Sequence, residues 1–187
     1  RLWRTVYQHV QKGDVPALNA NDMDDASRDL RRKTHETIGK TTDDIARRYT
    51  FNTAIAAIME LLNTVQKLDA QSGQSLAVER EALSAIVLLL APIVPHISEA
   101  LWQALGHSDV VNAAWPIVDE TALTRSSLEL MIQVNGKLRG KISVAVDADN
   151  ATVEQAALAN SNVQQILNGQ APKKVIVVKS RLVNIVV

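Results

Sequence analysis

Lys137, Arg139 and Lys141 alternate with Leu138 and Gly140 in a run that follows an Asn135-Gly136 pair. Alternate residues of a strand share a face, so this spacing predicts three cations in a row, about 7 Å apart. Such a row breaks no bonds. It offers fixed positive charge, and a polyanion backbone is the natural partner. Asn-Gly between two alternating runs is a strong hairpin signal, so the stretch 130–146 is expected to fold back on itself. A strict two-residue loop would set Val134 opposite Lys137 and mix apolar with basic on both faces. A loop one residue longer, with Gly136 left-handed before a bulge, pairs Gln133 with Lys137 and Ile132 with Leu138. It also sets Met131 across from Arg139 and Glu129 across from Lys141, giving one apolar face and one polar, basic face. That bulged register is the expectation, with a Glu129–Lys141 pair partly neutralising the row.

Other constellations are weaker. Gly39-Lys40-Thr41 resembles the end of a phosphate-binding loop, but Thr34 stands where that motif needs its first glycine. His35-Glu36 opens like a zinc-protease signature, yet Gly39 occupies the second histidine position. His96 and Glu99 share a helical turn without a nucleophile or third partner nearby, so capping and local hydrogen bonding account for them. Trp102 is read as core. Arg28, Arg31, Arg32 and Lys33 are read as a solvated helix face. No residue is assigned a catalytic or metal-binding role.

The elements that must position the basic row belong to a second half of distinct charge. Residues 1–127 carry 13 Lys+Arg against 16 Asp+Glu, whereas residues 128–187 carry 7 against 4, although the whole chain is neutral. Aromatic content of 3% argues against base stacking as the main binding mode. The lack of cysteine removes disulfides, thiolate chemistry and cysteine zinc sites. No apolar run approaches the roughly 20 residues of a membrane span and no signal peptide opens the chain, so a cytoplasmic setting is expected.

Helical spacing predicts a first helix within 1–12, read as the end of something longer, and a second from about Asn21-Asp22 to Arg48. The clearest core helix covers 51–68, with Ile55, Ile58, Leu62 and Val65 on one face. Further helices are expected over 76–91 and over 95–105, broken by Pro92 and Pro95 and stopped at Gly106. The expected organisation is a helical bundle over 1–106, a linker over 107–127 and a small α+β domain over 128–187. In that domain Thr152 and Gln155 form a capping box for a short helix, and a second follows near 163–167. Strands over 174–179 and 182–187 complete a ββααββ order.

Several stretches together resemble the C-terminal region of the bacterial-type leucyl-tRNA synthetases. They are Leu30-Arg-Arg-Lys-Thr-His35 with Thr37-Ile38, Arg48 followed by Phe51-Asn-Thr-Ala-Ile-Ala-Ala-Ile-Met-Glu-Leu61, and Leu89-Leu-Ala-Pro92 with Pro95-His-Ile-Ser-Glu-Ala-Leu-Trp102. Ala114-Trp-Pro116, Val134-Asn-Gly-Lys137 with Arg139, and the strands over 174–187 complete the set. The proline-histidine-tryptophan pattern is shared with valyl, isoleucyl and methionyl relatives and marks class Ia alone. The Val-Asn-Gly-Lys hairpin in a compact basic tail is what resembles the leucyl branch, and the lack of cysteine sets the isoleucyl zinc module aside.

The resemblance implies an anticodon-binding-type bundle and a tRNA-binding tail from an enzyme that leucylates tRNA(Leu) with ATP and Mg. The adenylate-forming signatures and an editing domain are absent from these residues, so this portion is expected to catalyse nothing alone and to need no cofactor. Its expected partners are tRNA(Leu), touched at stem and elbow, and the catalytic and editing domains of the full-length enzyme. Phosphate contacts are expected from Lys137, Arg139 and Lys141, with Lys173, Lys174, Lys179 and Arg181 as second choices. Their role would be positioning, since phosphate contacts carry no sequence information directly. The tRNA-docking region of a valyl or methionyl relative and a free-standing RNA-binding or scaffold module are the competing readings.

Overall fold

The computed structural model describes residues 1–71, 73–124, 127–146, 148–167, 170, 172–178 and 181–187. They divide into two compact units, Arg1–Thr124 and Arg125–Val187. No helix among the described residues is long and apolar enough to cross a membrane.

The first unit packs α1 (Leu2–Val10), α2 (Asp25–Ala46), α3 (Phe51–Val65), α4 (Gly73–Leu90) and α5 (Pro95–Ala104). Short 3-10 turns occupy Ala20–Asp22 and Glu120–Leu123. Asp24 starts α2, its side chain accepting the Ser27 N–H at 2.7 Å, which satisfies one of the donors a helix start leaves over. Ile58, Leu62 and Val65 of α3 bury at helical spacing, joined by Leu61. α4 is the central helix: Leu83, Ile86 and Leu89 are fully buried, and Val78 and Val87 are buried too. Each such side chain removed from water contributes roughly 1.5–3 kcal/mol, which outweighs the mostly polar character of α2. α5 stops where Gly106 takes φ +84°, a left-handed conformation that a side chain would strain.

The expected linker over 107–127 is corrected by the packing. Up to Thr124 this stretch belongs to the first unit. The Trp115 indole N–H donates to Thr42 Oγ1 at 2.8 Å, and Arg31 Nη2 reaches Asp119 Oδ2 at 2.6 Å. Side chains of this stretch, Trp115 and Asp119, pair with α2.

The second unit contains β1 (Ser127–Val134), β2 (Lys137–Ala145), α6 (Asn150–Ala159), α7 (Ser161–Leu167), β3 (Lys174–Val178) and β4 (Leu182–Val186). The sheet order is β2-β1-β4-β3, with β1 and β4 parallel and both outer pairs antiparallel. Leu130, Ile132, Val134, Val183 and Ile185 form its core with Val153, Ala157, Val163 and Leu167 of the two helices. α6 begins one turn earlier than the capping box predicts: Asp149 accepts the Thr152 N–H at 2.8 Å. Asp149 adopts the extended geometry of a cap, and its carboxylate is held below its ordinary pKa by Thr152.

The hairpin register differs from expectation. Asn135 (φ +49°) and Gly136 (φ +76°) are both left-handed, so the loop is the two-residue turn that matches strand twist, with Val134 opposite Lys137. The extra residue is taken up inside β2 instead. Gln133 faces Leu138 and Ile132 faces Gly140, leaving Arg139 unpaired in a bulge. Beyond it Met131 faces Lys141 and Glu129 faces Ser143.

Candidate nucleic-acid interface

The bulge decides where the cations stand. Cross-strand partners share a face, so Lys137 lies on the side of Val134, and Lys141 on the opposite side with Met131. The expected row of three on one face is therefore broken at Arg139. The same phase change turns Leu138 out of the core, where it is 62% exposed. The face away from the helices is accordingly not wholly polar: Met131, Leu138, Ile176 and Val178 are exposed on it beside Lys141 and Glu129.

Lys137, Arg139 and Lys141 remain together on one edge strand, all exposed. Lys141 Nζ lies 2.7 Å from Glu129 Oε1, a diagonal pair rather than the directly opposed one expected. Both side chains are more than half exposed, so the pair is weak and salt-sensitive. Lys137 and Arg139 have no ion-pair partner among the described residues. Lys173 and Lys174 are exposed at β3, the other edge of the sheet, three strand spacings or about 14 Å away. Arg181 immediately precedes β4, whose first residue Leu182 lies opposite Met131. Lys179 lies outside the described residues. The second unit thus has two basic edges joined by a partly apolar face.

The hairpin is held from both sides. At its tip the Asn135 N–H donates to Ile185 O at 2.9 Å, and Asn135 Oδ1 accepts the Val187 N–H at 3.2 Å. Asn184 Oδ1 accepts the Gly136 N–H at 3.3 Å. At the open edge Asn162 Nδ2 donates to Arg139 O at 3.2 Å, and Asn160 Nδ2 to Lys141 O at 3.4 Å. Sequence reasoning found Asn135 but missed Asn160, Asn162 and Asn184. Asn160 and Asn162 at a helix junction and Gly140 in a strand were the signals available.

The cations of α2 are otherwise engaged. Arg31 bonds Glu81 and Asp119, Arg32 bonds Asp29 and Glu36, Arg28 lies beside Asp25, and Lys33 beside Glu60. Arg31 is nearly buried, so this cluster is partly internal structure rather than an entirely solvated face. Glu99 accepts the Val110 N–H at 2.8 Å and a bond from Gln103 at 2.6 Å, so it ties α5 to the chain beyond it. Trp102 is buried and stacks on His107, ring centroids 3.9 Å apart. Burial and the nearby Arg80 charge hold His107 below its ordinary pKa. Among the described residues no three His, Cys, Asp or Glu side chains group in a way suited to a metal ion.

A family model described as the anticodon-binding domain of tRNA ligase matches residues 27–155, from the first turn of α2 into α6. The chain is 56% identical over its whole length to a leucine–tRNA ligase of Alcanivorax borkumensis, and 57% identical to one of Cellvibrio japonicus. It spans 23% and 22% of those two relatives, so it matches less than a quarter of either. Among solved structures it resembles the LeuRS of an Agrobacterium radiobacter K84 agnB2 LeuRS–tRNA–LeuAMS ternary complex, with a TM-score of 0.64 and 29% identity. That match covers all of this chain and 23% of the other. The family match, the whole-chain identities and the helical first unit agree: the chain belongs to the anticodon-binding domain family of tRNA ligases.

Proposed function

We propose that these residues are the tRNA-binding portion of a leucine–tRNA ligase, positioning tRNA(Leu) for leucylation that takes place elsewhere in the full-length enzyme. The observation that carries this reading is identity above half, over every residue, to proteins named leucine–tRNA ligase. In it the first unit is a class Ia anticodon-binding-type bundle against the tRNA stem, and the ββααββ unit is a tRNA-binding domain at the elbow. Lys137 and Arg139 hold phosphate from one sheet edge, Lys173 and Lys174 from the other, with Lys179 and Arg181 shortly after them in sequence. Lys141 contributes less because Glu129 already holds it. Contacts of this kind read the shape of folded RNA rather than its sequence. ATP and Mg belong to the catalytic part of the longer, cytoplasmic enzyme; these residues supply no adenylate chemistry.

The test is titration of the 187-residue chain with a tRNA(Leu) transcript across a salt series, beside an elbow-disrupted transcript and a non-cognate tRNA. Salt-steep binding that is lost with the elbow is the expected result. Equal binding to all three, or none, would remove the basic edges from the tRNA interface.

A further inference from the structure

We infer that Asn160 and Asn162 are positioning residues for tRNA, clamping the β2 bulge so that Arg139 meets phosphate in one fixed geometry. This rests on the tRNA-binding reading above. β2 is an edge strand, and a bulge on an edge disrupts local pairing. Left to itself such a segment slides between alternative positions of the extra residue, and each alternative sends the guanidinium elsewhere. Here the carbonyls on either side of Gly140 are both taken by side-chain amides, Arg139 O by Asn162 and Lys141 O by Asn160. Arg139 is therefore the bulged residue and the one whose own carbonyl is clamped.

Asn160 does two things at once. Its Oδ1 accepts the Asn162 N–H at 3.1 Å and caps α7, while its Nδ2 faces the strand. The cap fixes the amide's orientation, and the amide fixes the edge. Gly140 is what admits it: a Cβ there would lie 3.2 Å from Asn160 Oδ1 and 3.4 Å from Nδ2. Neither asparagine needs to touch RNA. Their effect passes through the backbone of residues 139–141 to Arg139, which has no ion-pair partner among the described residues to hold it otherwise.

The test separates the clamp from the cap. Asn160→Ser keeps an oxygen for the α7 start but does not reach Lys141 O, and Asn162→Ala removes the other donor without disturbing a helical position. The double variant is compared with Arg139→Ala and with all three changes combined, by tRNA(Leu) titration over a salt series and by thermal unfolding. Arg139→Ala is expected to weaken binding by roughly tenfold and lower the salt slope by about one. The clamp variant is expected to reproduce most of both changes, and the triple variant to add little to either. A fold role alone would lower Tm and leave the salt slope untouched. If Arg139→Ala acts and the clamp variant leaves slope and affinity unchanged, or the effects simply add, the clamp inference fails and the tRNA-binding reading stands. If Arg139→Ala does nothing, both fail at this hairpin.

Discussion

His35 and Asp119, 84 residues apart, are joined ring to backbone: Nδ1 of the imidazole accepts the Asp119 N–H at 3.1 Å. That acceptor role leaves the proton on Nε2, which lies 3.2 Å from Glu81 Oε1 and donates to it. Arg31 closes the circuit by bonding Glu81 and Asp119 together. Three segments distant in sequence, α2, α4 and the turn before Thr124, are thereby fastened through one imidazole and one guanidinium.

The carboxyl of Asp119 is held well below the usual carboxylate range, first by the Thr121 hydroxyl and then by Arg31. A depressed carboxyl stabilises the fold above the unfolded value of about 4 and loses that contribution as pH falls towards the folded value. Asp119→Asn is therefore expected to lower Tm at neutral pH, with the gap from the parent closing in acid. Thermal unfolding from pH 7 down to pH 3 measures it, and a gap that stays constant would contradict the assignment.

Glu79 ties α1 to α4 from a nearly buried position. Its Oε2 lies 2.8 Å from His9 Nδ1 and 2.7 Å from Lys12 Nζ. Burial pushes the carboxyl up, but the bonds from His9 and Lys12 outweigh it and hold the group below its ordinary value. Its stabilising share is thus present at neutral pH and lost as pH falls through the lowered value. Glu79→Ala leaves His9 buried without that partner and is expected to cost about 3 kcal/mol, read from denaturant unfolding of the chain.

Glu129 restrains one of the basic residues. Glu129→Gln frees Lys141 and removes a negative charge from the outer face, so tRNA(Leu) binding should tighten and its salt slope should rise by up to about one. Because the pair is exposed, Tm is expected to stay nearly constant. Weaker binding after this substitution would place Glu129 itself in the RNA contact.

Gly140→Ala inserts a methyl group against an amide fixed at both ends. A destabilisation of about 1 kcal/mol is expected, since Asn160 must give by a few tenths of an ångström or release Lys141 O. Amide hydrogen exchange over 139–141 should quicken in this variant. Unchanged exchange there would mean that the clamp tolerates the methyl.

Much of the helical unit was legible without coordinates because its signals are local. The 3.6-residue spacing of Ile58, Leu62 and Val65, the breaks at Pro92 and Pro95 and the stop at Gly106 each depend on residues within a turn or two. The strands and the Asn135-Gly136 turn were equally local. The basic candidates were found for the same reason: charge and alternation can be counted along the chain.

Only tertiary structure decided what those candidates do with one another. The turn chemistry allowed both a three-residue loop and a two-residue loop with a bulge further along. The choice depended on Ile185, Val187 and Asn184 gripping the tip, and on Asn160 and Asn162 supplying donors to the edge. Those partners come from residues 19 to 52 positions away, beyond the reach of any periodicity. The parallel pairing of β1 with β4, which separates the two basic edges, is likewise a long-range choice made by burying Val183 and Ile185 beside Ile132 and Val134. The sequence by itself determined which residues are apolar, basic or turn-forming; the packed fold determined which face each of them sees, because a strand has two faces and one bulged residue exchanges them.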